Sequence, residues 1–109
     1  MDAWIGTVLV SARIPHAGSL KDRRQIVRSL TDRMKRHFNV SVADLGPDGR
    51  WEMFALAAVC VGSSHTETEA RTEQLASFLE RGEDDGDYEV IEMSQEVFAY
   101  GDIQNRKTE

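Results

Sequence analysis

The sequence predicts one small α+β domain with the element order βαββαβ. Three observations predict it: segments in which apolar side chains recur at every second residue, segments with apolar side chains at helical spacing, and turn signals between them. The length of 109 residues fits a single domain. We expect the domain to cover residues 1–100, with residues 101–109 as a polar C-terminal tail.

The first strand and the first helix have clear boundaries in the sequence. Every second residue from Trp4 to Ile14 is apolar, which predicts a strand. Pro15 ends it because proline lacks a backbone N–H. Ser19 is the expected N-cap of a helix whose apolar residues recur at helical spacing as far as Phe38. Two polar residues, Arg23 and His37, interrupt this apolar side.

A hairpin follows the helix. Residues 39–45 predict a short strand, residues 46–49 (Gly-Pro-Asp-Gly) a turn, and residues 51–61 a second strand that pairs with the first. Both faces of the strand at 51–61 are almost entirely apolar. That pattern is typical of a strand buried on both sides.

A second helix and a last strand complete the chain. Thr66 and Glu69 have the spacing of a capping box, so the helix is expected to begin there and to end at Gly82. Its predicted buried side is Ala70, Leu75, Phe78 and Leu79. An acidic loop at 83–87 leads into a strand from Tyr88 to Tyr100. In that strand Ile91, Met93, Val97 and Ala99 are expected to face inward, and Glu92, Ser94 and Glu96 outward.

This order fits a ferredoxin-like arrangement, a four-stranded antiparallel sheet with both helices on one face. The predicted core contains Trp4, Val8, Val10, Leu30, Met34, Phe38 and Leu79. The other sheet face would be open, yet Ile5 and Leu9 on it are apolar. We therefore expect a homodimer or larger homo-oligomer that covers them.

Charge is distributed unevenly along the chain. The net charge is −6, which argues against general affinity for nucleic acids, but residues 19–38 contain seven Lys/Arg and two Asp, a local charge of +5. Four of these cations fall within roughly 60° of helical arc, on a different side from the apolar residues: Lys21, Arg24, Arg28 and Lys35. They either form ion pairs with acidic neighbours or contact the phosphates of a nucleic acid.

The sequence contains no recognisable catalytic motif. The three histidines stand in different predicted elements and a single cysteine cannot build a structural zinc site, so we expect no metal and no cofactor. P-loop, dinucleotide-binding and nucleophile-elbow motifs do not occur. Acylphosphatases share the predicted fold, and Arg13 and Asn39 lie in loosely analogous places, but their characteristic loop is missing. We therefore expect that the protein is not an enzyme.

The loop between the first strand and the first helix is the candidate site for a small anion. A helix N-terminus offers free amides to an anion, and Arg13, His16 and Ser19 could add charge or hydrogen-bond donors. The alternative is that Ser19 only caps the helix.

The same sequence predicts a cytoplasmic protein. No apolar run approaches the ~20 residues of a membrane span. The N-terminus lacks the basic region of a signal peptide. Cys60 is the single cysteine, so no intrachain disulfide can form.

Two motifs carry a family resemblance. Residues 13–24 read RIPHAGSLKDRR and residues 33–44 read RMKRHFNVSVAD. Together they resemble the YlxP-like family of small bacterial proteins of unknown function, in which an SLK-x-K-R helix start is followed by FNVSVAE. Arg23 stands here for the usual Lys and Asp44 for the usual Glu. The resemblance implies a ferredoxin-like fold and a gene setting beside translation-initiation and ribosome-maturation factors.

Two hypotheses follow from these observations. The leading one is a non-enzymatic module that binds RNA or a ribonucleoprotein through its basic first helix. The alternative is a homo-oligomeric domain that associates through its open sheet face and binds a small anion at the interface.

Overall fold

Strands and helices alternate in the predicted order. The computed structural model describes residues 2–102. It contains β1 (Asp2–Arg13), α1 (Leu20–Phe38), β2 (Ser41–Gly46), β3 (Met53–Gly62), α2 (His65–Gly82), a 3₁₀ turn (Glu83–Asp85) and β4 (Glu89–Asp102). The last strand thus includes residues 101 and 102, which the sequence assigns to the tail, and residues 103–109 lie outside the described residues.

The four strands form one antiparallel sheet in the order β2-β3-β1-β4. Both helices pack on the same face of it, since buried residues of α1 and α2 share one core with alternate residues of β1 and β3. This topology confirms the ferredoxin-like α+β fold.

One hydrophobic core lies between the sheet and the helices. Five of the seven residues predicted there are buried: Val8, Val10, Leu30, Met34 and Leu79. Phe38 is half-buried and packs against this core. Trp4 is half-buried and lies outside the core. It pairs with Gly62 near the N-terminus of β1. Its ring makes an edge contact there with the ring of His65, at 5.0 Å between centroids.

The start of α2 differs from the prediction. Ser64, not Thr66, is the N-cap, and its hydroxyl accepts a hydrogen bond from the Glu67 amide at 3.2 Å. Ser64 and Glu67 have the same capping-box spacing as Thr66 and Glu69, so the sequence pattern allowed either start.

Two threonines, rather than Ala70, bury the face of α2 that contacts the sheet. Thr68 and Thr72 are 0% and 2% exposed. Each hydroxyl donates to the carbonyl four residues earlier, at 2.8 and 2.7 Å, so neither of these two buried hydroxyls is left unpaired. Opposite them lie Gly62 and Gly6, where a Cβ would overlap the threonine hydroxyls. Glycine therefore sets how closely α2 approaches the sheet.

The apolar pattern on both faces of β3 does not mean burial on both sides in this chain. Phe54, Leu56 and Ala58 are buried against the helices. On the opposite face, Val59 and Val61 remain 40% and 59% exposed. No element among residues 2–102 covers that face.

A β-bulge changes the facing of residues in β4. Ser11 pairs with Glu92 and Ala12 with Val90, so Ile91 is an extra residue without a partner in β1. Ile91 is consequently 58% exposed, and its predicted inward position is wrong. Among residues 2–102, no helix is long and apolar enough to cross a membrane.

Candidate functional site

Helix α1 is held at both ends by polar contacts. The Ser19 hydroxyl accepts from the Asp22 amide at 3.1 Å, and the Asp22 carboxylate accepts from the Gly18 amide at 2.9 Å. This confirms Ser19 as the N-cap, with a negative charge at the positive end of the helix dipole. At the other end Asn39 adopts the left-handed conformation that terminates helices.

The opposite sides of α1 have opposite characters. Val27, Leu30 and Met34 are buried against the sheet. Lys21, Arg24, Arg28 and Lys35 are exposed on the outer side. We call these four residues the basic face of α1. Lys21 and Lys35, the first and the last of them, are 14 positions apart, which corresponds to about 21 Å along the helix axis.

The cations of the basic face have no partners within the part of the chain that the structure describes. None of the four forms an ion pair or donates a hydrogen bond to another of residues 2–102. The alternative explanation for these cations, ion pairs with acidic neighbours, is therefore not observed within residues 2–102 of one chain. Their charge stays available to an external anion.

A shallow groove runs along the outer surface of α1. All the residues that line it belong to this one helix: Lys21, Arg24, Gln25, Arg28, Ser29, Asp32, Arg33 and Arg36. The groove is thus an open, elongated surface rather than an enclosed pocket for a small molecule. Arg36 was not among the cations predicted to bind, because its helical angle places it about 60° from Lys21, outside the arc of the basic face.

Arg23 belongs to the protein interior instead. It is 8% exposed, and its guanidinium donates to both carboxylate oxygens of Asp44 at 3.0 Å and to the Met53 carbonyl at 3.0 Å. The hydrogen bonds from Arg23 hold the pKa of the Asp44 carboxyl below its usual value. The two positions at which this chain departs from the sequence motifs therefore pair with each other. They join α1 to β2 and β3.

Two other arginines are also engaged. Arg33 lies 4.0 Å from the Asp85 carboxylate of the acidic turn, and its Nε donates to the Ser29 carbonyl. Arg71 on α2 donates to the carbonyls of Val61, Phe38 and Asn39 at 2.9 to 3.3 Å. Arg71 thereby caps the C-terminus of α1. The sequence gives no signal for this role, because the acceptors of Arg71 are backbone groups distant in the chain.

The residues of the candidate anion site have contacts of their own. Arg13 forms a 2.7 Å ion pair with Glu89, and it lies on the sheet face away from the helices. Ser19 is used as the helix cap, and His16 is exposed in the intervening loop. The Asp22 carboxylate already accepts the hydrogen bond of the Gly18 amide at this end of α1. The anion site remains a prediction.

Other reactive side chains are buried or dispersed. Cys60 is buried, with its sulfur 3.9 Å from the Thr72 hydroxyl. The Tyr88 phenol donates to the Leu79 carbonyl at 2.5 Å, and burial raises the pKa of Tyr88 to about 12. No group of His, Cys, Asp or Glu side chains with metal-binding geometry occurs within residues 2–102.

The sheet face opposite the helices is a second candidate surface, which we call the open face. Its exposed apolar side chains come from all four strands: Leu9, Leu45, Val59, Val61 and Phe98. Glu92 and Glu96 lie on the same face at the edge strand β4, since they pair with Ser11 and Thr7.

Comparison with known proteins adds a family match. Residues 5–95 match the model of the family described as "Protein of unknown function (DUF503)". The uncharacterized protein YlxP of Bacillus subtilis (strain 168) is 29% identical over 76 residues, which cover 70% of this chain and 83% of that protein.

A solved structure from Bacteroides thetaiotaomicron VPI-5482 is also similar. It is that of a conserved protein of unknown function described as a possible oxidoreductase. It is 14% identical, the match covers 88% of this chain and 97% of the other, and the TM-score is 0.42. A likeness of this degree carries no argument about activity.

Proposed function

This chain belongs to the DUF503 family of proteins of unknown function, and we propose that it is a non-enzymatic module that binds RNA or a ribonucleoprotein through the basic face of α1. The match to YlxP confirms the resemblance that the two sequence motifs indicated. Because the family description assigns no activity, the proposal rests on the geometry of the helix.

One observation carries the proposal: the Lys and Arg residues within residues 2–102 fall into a set that contacts acceptors and a set without partners in that part of the chain. Within residues 2–102, the arginines that contact acceptors are Arg13, Arg23, Arg33, Arg50 and Arg71. Within the same residues, the cations that contact none all lie on α1, except Arg81 on α2. A row of exposed cations on one rigid helix is the arrangement that neutralises successive phosphates.

The chemistry of the basic face favours the nucleic-acid backbone over the bases. Its side chains are ammonium and guanidinium groups, which pair with phosphate oxygens. It contains no aromatic side chain on which an unpaired base could stack. Binding is therefore expected to depend on phosphate geometry and to show little sequence preference.

The acidic remainder of the protein would restrict how RNA approaches. Asp32 interrupts the groove, and the acidic turn at Glu83–Asp85 reaches the flank of α1 through Asp85. These carboxylates repel phosphates placed on that flank. The accessible approach is along the outer side of the helix.

The proposal is tested by capturing the tagged full chain from an extract of its own cells and identifying the retained RNA and protein. Affinity for the retained RNA is then measured by fluorescence anisotropy. With about four phosphate contacts, raising the salt from 50 to 200 mM should weaken binding roughly 50- to 150-fold through counterion release. Reversing two cations, Arg24→Glu with Arg28→Glu, should reduce binding to background.

The matched control reverses two other exposed arginines, Arg50→Glu with Arg81→Glu, and changes the net charge by the same amount. Among residues 2–102 the ion-pair partner of Arg50 is the exposed Glu52, so this control should fold and keep its affinity for RNA. The proposal is wrong if the parent protein retains no RNA above background. It is equally wrong if both double variants lose affinity to the same extent, because overall charge would then explain the binding.

A further inference from the structure

We propose that two copies of this chain pack against each other through their open faces, giving a symmetric dimer with four layers in the order helix, sheet, sheet, helix. This inference goes beyond the proposed RNA binding and does not depend on it. It rests on the distribution of charge across the open face, on the area of that face and on the identity of its possible occupants.

Charged side chains are confined to the margin of the open face. The central strands β1 and β3 present only uncharged side chains to it between Ala3 and Ser11 and between Ala55 and Val61. Leu9 at the centre is 49% exposed. The carboxylates of the face stand on the edge strand β4, and the Arg13–Glu89 ion pair lies at one end. An apolar centre with a charged rim is the usual anatomy of a protein–protein interface.

The position of the carboxylates suits a symmetric pairing. If the two-fold axis runs parallel to the strands, β4 of one copy lies over β2 of the other. The residues that β2 presents to this face are uncharged: Ser41, Ala43 and Leu45. Glu92 and Glu96 of the two copies would thus lie at opposite edges, near water and apart from each other. The uncharged centres would meet.

The open face is large enough for a stable dimer. Its strands contain 12, 6, 10 and 14 residues. At about 3.3 Å per residue and about 4.8 Å between strands, they cover roughly 650 Å² in projection. Specific interfaces bury about 600–1,000 Å² on each partner.

Other occupants fit this face less well. Phosphates of RNA and anionic lipid headgroups would be repelled by Glu92 and Glu96 on a chain of net charge −6. Within residues 103–109, Ile103 is the single apolar residue, so this segment offers too little apolar surface to cover the face. A second copy supplies an apolar surface of matching size.

The test is sedimentation velocity of the purified full chain between about 1 and 100 µM, because interfaces of this size have dissociation constants in the micromolar range or below. The parent should sediment at twice its mass of 12.3 kDa. Leu9→Lys and Val61→Lys should each weaken dimerisation at least about a hundredfold, because every dimer would bury two unpaired ammonium groups. Leu20→Lys, at an exposed position on α1, is the control that should remain dimeric.

A second measurement needs no substitution. On dilution, the methyl NMR signals of Leu9, Val59 and Val61 should shift, whereas those of Leu20 and Val27 should not. A parent protein that stays monomeric throughout the range overturns the proposal and leaves the open face to a partner of different sequence. It is also overturned if both lysine variants, folded by circular dichroism, dimerise as the parent does.

Discussion

Replacing Arg23 by Met removes a cation that α1 directs into the protein while keeping most of its apolar contacts. Arg23 makes three hydrogen bonds, two to the Asp44 carboxylate and one to the Met53 carbonyl. The next residue, Arg24, is exposed and has no partner within residues 2–102. The two neighbours therefore allow the structural and the functional cations of one helix to be separated.

The expected loss of stability follows from these contacts. Hydrogen bonds to a charged group contribute about 1.5–3 kcal/mol when buried. The Asp44 side chain is 41% exposed, so solvent screening puts the pair near the low end of that range. With the Met53 carbonyl left without this donor, the total is about 2–4 kcal/mol. For a domain of this size, that lowers Tm by about 8–16 °C.

Urea denaturation followed by circular dichroism at pH 7 measures the difference, with Arg24→Met as the control. The control should change the free energy of unfolding by less than about 0.5 kcal/mol. The pKa of Asp44 is lowered in the folded protein, so its pairing with Arg23 is fully stabilising above the usual aspartate pKa of 3.8. This stabilisation is lost as the pH falls through the lower pKa of the folded protein. The difference in stability between the parent and Arg23→Met should narrow there, and the part that comes from the hydrogen bond to the Met53 carbonyl should remain. Equal losses in the two variants at pH 7 would refute the reasoning.

Three further predictions concern the core. Leu30→Ala should destabilise by roughly 2–5 kcal/mol in urea denaturation, since Leu30 is 1% exposed; a loss under 1 kcal/mol would contradict its place in the core. Gly6→Ala should cost about 1–3 kcal/mol in the same assay, because the added Cβ overlaps the Thr72 hydroxyl; an unchanged midpoint would show that α2 can move away. Burial raises the pKa of Tyr88 from 10.0 to about 12, so the parent should lose stability as the pH rises between those values. Tyr88→Phe should lack this pH-dependent loss of stability. Identical profiles of stability against pH for the parent and the variant would contradict the raised pKa of Tyr88.

Local chemistry explains why α1 could be predicted so fully. Ser19, the helical spacing of Leu30 and Met34, and the common side of Lys21 and Arg28 all lie within one segment of the chain. The helical angle also placed Arg23 on the apolar side, but its partner Asp44 is 21 residues away. The sequence therefore showed a charged residue on the apolar side of α1 without showing its partner.

The open face marks a different limit of sequence reasoning. Alternation shows that Val59 and Val61 lie opposite Phe54 and Leu56, and that both sets are apolar. It does not show which molecule covers each set. The helices of the same chain cover one face of β3. The other is accessible among residues 2–102, and its occupant remains a prediction.

The unpaired Ile91 has a consequence for comparing this chain with distant relatives. Residues of β4 that face the helices have even numbers before it, such as Val90, and odd numbers after it, such as Met93. A relative that lacks one residue here would keep every other side chain on its present face, now in unbroken alternation. A deletion further along β4 would instead exchange Glu96 with Val97 unless the strand slid against β1. An alignment gap at Ile91 thus leaves the other residues of β4 on their present faces. A gap a few residues later indicates that the alignment assigns the wrong strand register.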